Sequence, residues 1–101
     1  MDSDITDKIF NKIEEISKTD IGSCNVLYIK PGAVIPKHYH KNSVEIEYVY
    51  KGNCKTHEQG KFYIHQKNEP HELINDSDDE LIIVCLKIPP HSEEDMNYVS
   101  E

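Results

Sequence analysis

Between Ser23 and Pro90 the chain breaks into short runs rich in Val, Ile, Tyr and Phe, each closed by turn-forming residues. Residues 24–30 stop at Pro31-Gly32, and residues 44–50 end at Lys51-Gly52-Asn53, a hairpin signal. Residues 54–57 read as the returning strand, with Glu58-Gln59-Gly60 as the next turn. Residues 61–66 alternate Phe62 and Ile64 with Tyr63 and His65. Residues 72–74 form a short strand and residues 75–79 a polar turn. Residues 81–88 are the most apolar strand, and Pro89-Pro90 ends it. So many short strands in 101 residues predict one mainly β domain, a barrel or a sandwich.

The segment before them has a different period. Ile5, Ile9, Ile13 and Ile16 recur at helical spacing, which predicts an amphipathic helix over residues 4–18, capped by Ser3 or Asp4 and followed by Gly22. The expected organisation is a helix in residues 1–22 packing on the barrel, the barrel itself in residues 23–90, and an acidic tail in residues 91–101. The tail is expected on the surface, partly ordered by Met96, Tyr98 and Val99.

Charge narrows the function classes. Nineteen acidic against eleven basic residues give a net charge of −8, which repels phosphate backbones and anionic membranes. No stretch approaches the ~20 apolar residues of a spanning helix. The acidic start lacks the basic and apolar parts of a signal peptide, so the expected compartment is the cytosol. Three cysteines without Cys-x-x-Cys spacing argue against a disulfide framework or a zinc ribbon, and Cys85 reads as a small core residue.

The chemistry concentrates at His38-Tyr39-His40. On an extended strand, side chains at i and i+2 share a face, so these two imidazoles can reach one cation. After the Lys41-Asn42-Ser43 turn, Glu45 enters the next strand and can supply a carboxylate from across the ladder. His71 can complete a set of three imidazoles and one carboxylate. Such a set suits Fe, Mn, Ni, Co, Cu or Zn.

This stretch resembles the first motif of the cupin superfamily: a glycine, five residues, His-x-His, three or four residues, Glu, six residues, glycine. Gly32, His38, His40, Glu45 and Gly52 fit every position. His71-Glu72-Leu73-Ile74-Asn75 matches the closing half of the second motif, a His followed after three residues by Asn. Gln66-Lys67-Asn68 stands where that motif has a proline-glycine turn, and Asn68 can supply the left-handed conformation. Gly60 is either the second-motif glycine or an intervening hairpin turn. The resemblance covers about residues 24–90. It implies a single-domain jelly-roll barrel with one divalent transition metal (Fe, Mn, Ni or Zn) inside, held by His38, His40, Glu45 and His71, and often a homodimer.

Glu47 lies two residues beyond Glu45 on the same face. An unpaired carboxylate there is costly, so it should pair, protonate or act as a base; a structural or solvated role is the alternative. His57 and His65 read as surface or hairpin positions. The expected function is a metal-dependent enzyme acting on a small polar molecule, with Glu47 as candidate acid/base. A dioxygenase, isomerase, decarboxylase or lyase fits that description. The alternative is a non-catalytic module binding a metal or small ligand. A metal-free sugar isomerase is disfavoured by the complete ligand set.

Overall fold

A computed structural model describes residues 3–99. In chain order it contains α1 (Ser3–Ile9), β1 (Phe10–Lys18), β2 (Ser23–Ile29), β3 (Val34–Tyr39), β4 (Val44–Lys51), β5 (Phe62–His65), β6 (His71–Ile74), β7 (Leu81–Ile88) and β8 (Asn97–Tyr98), with a 3-10 turn over Glu93–Asp95. Two antiparallel sheets face each other, one ordered β1-β2-β7-β4-β5 and the other β6-β3-β8. This is the expected jelly roll. Among the described residues, no helix is long and apolar enough to cross a membrane.

Strand alternation sorts each inner face into an apolar end and a polar end. On β7, Leu81, Ile83 and Cys85 are buried and the residues between them half-buried. On β4, Glu45, Glu47 and Val49 are buried while Val44, Ile46 and Tyr48 lie on the other face. The core proper comprises Ile9, Ile29, Ala33, Val49, Leu73, Leu81 and Ile83. Each large apolar side chain there contributes roughly 1.5–3 kcal/mol by leaving water. The remaining inward positions on β4 and β7 therefore open a polar compartment beside a dry core.

The long N-terminal helix does not form. Only residues 3–9 are helical, and residues 10–18 are an edge strand running from Phe10↔Ile29 to Lys18↔Ser23 against β2. Without this strand the outer edge of β2 would be unpaired, and satisfying it outweighs a weak helical preference. The isoleucines did not mark a core stripe: Ile9 is buried, whereas Ile13 and Ile16 are 43% and 59% exposed. Two register shifts, at Phe10/Lys12 and Glu15/Ser17, let the strand bend round the barrel.

The returning strand expected over residues 54–57 is also replaced, here by a loop. Its main chain bonds locally and to side chains rather than to a ladder: Cys54 N–H to His57 O, Lys55 N–H to Asp76 Oδ1 and Glu58 N–H to the Tyr63 hydroxyl. Gly60 has φ +83° in the connection between the antiparallel strands β4 and β5, at the turn that leads into β5. Asn68 adopts φ +65°, replacing the missing glycine of the following turn.

Asn75 ties these parts together. Fully buried, its amide nitrogen donates to the carbonyls of Ile29, Lys30 and Asp79, and its Oδ1 accepts from Ser77. Its backbone exchanges hydrogen bonds with Gly32 and Ala33. The motif asparagine is thus a clamp that locks β6 onto the turn preceding β3. Replacing Asn75 with Ala leaves three carbonyls short of a donor and should cost about 2–4 kcal/mol, read as a lowered denaturation midpoint at unchanged slope.

Candidate metal centre

The two sheets bring His38, His40, Glu45 and His71 together, with one donor atom from each lying within 4.8 Å of the others. That spacing is close to what donors sharing one ion require at bond lengths of about 2.0–2.2 Å. His38 sits opposite His71 in the β3–β6 ladder, and Glu45 comes from β4 in the other sheet. His38 and His40 are both buried while Tyr39 between them is not, as the i,i+2 argument requires.

Each imidazole is oriented by its own main-chain acceptor. Nδ1 of His38 donates to Pro36 O (2.7 Å), Nδ1 of His40 to Asp95 O (3.2 Å), and Nδ1 of His71 to Glu69 O (3.1 Å). A carbonyl can only accept, so the proton sits on Nδ1 and the Nε2 lone pair faces the cluster. Among the described residues, His40 Nε2 and His71 Nε2 are the buried side-chain polar atoms with no hydrogen-bond partner. They lie 3.0 and 3.6 Å from Glu45 Oε2, close but not aligned as hydrogen bonds. Convergent lone pairs of fixed tautomer, left without donors, are what a divalent transition ion needs. The residues therefore fit such an ion, and the cluster can bind one.

Electrostatics favour the ligating forms of His38 and Glu45, whereas His71 must give up its proton to an ion. Burial pushes the His38 imidazole down to about 4, so it is neutral near pH 7. Burial alone would raise the Glu45 carboxyl, but His40, His71 and Lys87 hold it well below the usual carboxylate range. Burial lowers His71, and the Glu45 carboxylate more than reverses this, for a net rise.

Glu47 faces the same cavity and is not solvated. Its Oε1 accepts from His57 Nε2 (3.1 Å) and His65 Nε2 (2.6 Å). Those two imidazoles outweigh the upward push of burial, and the carboxyl lies below its ordinary value. The surface positions expected for His57 and His65 are thus corrected. His57 is buried, bonded through Nδ1 to Thr56 Oγ1, and His65 stacks on His71 with centroids 4.0 Å apart. The signal available in the sequence was Glu47 itself, a buried acid that needs partners.

Asp95 was also missed. It lies in the acidic tail expected on the surface, yet it is buried, with its carboxylate accepting from the amides of Lys41 and Asn42. Its carbonyl holds His40. The tail is thus anchored to the turn that joins the His-x-His strand to the Glu strand. Cys85 borders the cavity as a thiol that burial pushes well above its ordinary value. All three cysteines are free. Asp95→Ala removes the acceptor of two amides and should cost about 1–3 kcal/mol in a urea titration, with Asp95→Asn losing less.

Comparison with known proteins agrees with this architecture. Residues 25–87 match the family described as Cupin domain. Among solved structures, ectoine synthase from P. lautus superposes with a TM-score of 0.69 at 24% identity, over 93% of this chain and 81% of that one. The protein TT1209 from Thermus thermophilus gives 0.70 at 16% identity, over 84% and 87%. DMSP lyase DddQ from Ruegeria pomeroyi gives 0.66 at 18% identity, over 87% of this chain and 50% of that one. In sequence comparison with curated proteins, no significant match was found.

Proposed function

The chain belongs to the cupin-domain family, and from that premise we propose that it is a metal-dependent enzyme acting on a small polar molecule inside its barrel. His38, His40, Glu45 and His71 would hold one divalent ion, Fe, Mn, Ni or Zn. The observation that carries this reading is the trio of Nδ1–carbonyl bonds, which leaves three Nε2 lone pairs free for an ion shared with Glu45. Such an ion supplies Lewis acidity and, with four protein ligands, about two positions for a substrate.

The chain's own residues do the rest. A cavity of about 290 Å³ borders the cluster and is walled by apolar side chains such as Leu27, Ile35 and Leu73. It is sized for a small molecule. Glu47, held as a carboxylate by His57 and His65, can take a proton from a molecule bound there. That acid/base favours isomerase, decarboxylase or lyase chemistry over a dioxygenase. The same pairing also supports a second reading, a non-catalytic binding module in which two imidazoles merely neutralise a buried acid. Three free thiols suit a reducing compartment such as the cytosol.

Metal content separates these readings. Purified protein should carry about one equivalent of transition metal, and His38→Ala combined with His71→Ala should lose about 90% or more of it. Unchanged content in the double variant contradicts the ligand set. Glu47→Gln should retain the metal and slow turnover by about 10²-fold or more; normal turnover removes Glu47 from the chemistry.

A homodimer is part of the proposal. The outer face of β4 and β5 exposes Phe62 (66%) and Ile64 (57%) in register with Tyr48 and Ile46. Neighbouring apolar side chains on a sheet face are an association surface. Sedimentation should give twice the chain mass, and Phe62→Lys with Ile64→Lys should give a folded monomer.

A further inference from the structure

Lys87 is the last inward residue of β7, paired with Glu45 on β4 and with Ser23 on β2. Its side chain is 12% exposed and lines the same cavity as Glu45, Glu47 and His71. Nζ donates to His91 Nδ1 at 2.9 Å. Glu45 Oε2 forms an ion pair with Nζ at 3.7 Å, longer than a hydrogen bond. The neighbouring Glu47 is already answered by His57 and His65. At the mouth, Glu15 and Lys18 are exposed and opposite in sign.

A largely desolvated ammonium facing an apolar-walled cavity calls for an anion. Lys87 is the largely buried cation facing the cavity. We propose that the molecule taken into this cavity is a small monocarboxylic acid. Its carboxylate is held by the Lys87 ammonium, and its hydrocarbon part lies against Leu27, Ile35 and Leu73. The proposal rests on the functional reading above for the location of the small-molecule site. One positive charge matches a monoanion, whereas a dianion such as phosphate would face Glu45 and Glu47 on the adjacent strand.

Lactate and its neutral isostere lactamide test this by calorimetric titration of the full chain, metal-loaded and after chelator treatment, with inorganic phosphate as a third probe. Lactate should bind the native protein about tenfold or more tightly than lactamide, and phosphate more weakly than lactate. Lys87→Met, compared at equal metal loading, should erase most of that preference, and Lys87→Arg should keep it. If Lys87→Met does not fold, Lys87→Gln takes its place. Equal binding of lactate and lactamide, a preference that survives in Lys87→Met, or tighter binding of phosphate overturns the proposal. A chain that takes up no metal refutes the metal reading alone. The lactate titration of the metal-free protein against Lys87→Met then still decides the role of Lys87.

Discussion

Three imidazoles donating Nδ1–H to main-chain carbonyls are the constraint on which the interior of this barrel depends. Each bond fixes both a tautomer and a ring orientation. The acceptors come from three separate places: Pro36 in β3, Glu69 in the turn before β6, and Asp95 in the C-terminal segment. The site is therefore preorganised by the fold rather than assembled by ligand side chains alone. Burying Glu45 becomes tolerable because the Lys87 ammonium forms an ion pair with it.

The two-sheet topology makes this convergence possible. β3 and β6 supply His38 and His71 from the small sheet, His40 follows directly on β3, and β4 and β7 supply Glu45, Glu47 and Lys87 from the large sheet. Asn75 locks the β6 end of this arrangement, and Asp95 locks the turn between β3 and β4. Behind the polar compartment, Val49, Leu81 and Ile83 form the dry core that keeps β4 and β7 in register.

Much of this was legible in the sequence where chemistry is local. An unbroken apolar run closed by Pro89-Pro90 placed β7 at its observed bounds, and the first-motif spacing assembled His38, His40 and Glu45. What failed was set by distant partners. Helical spacing in residues 4–18 competed with the open edge of β2, and the edge prevailed. His57 turned inward because its loop satisfies its main chain with the Asp76 and Tyr63 side chains, a pairing no local pattern encodes. Asp95 reaches a turn more than fifty residues earlier in the chain. Lys87 gains its meaning from facing Glu45 across a ladder.

The central claim is that the three Nε2 atoms and the Glu45 carboxylate share one ion. Anomalous scattering from crystals of the native protein, recorded across transition-metal absorption edges, tests it most directly. A single strong peak within bonding distance of His38, His40, Glu45 and His71 is the expected result, and the edge at which it appears names the metal. Absence of a peak there in fully metal-supplemented crystals, with the imidazoles still converging, would contradict it.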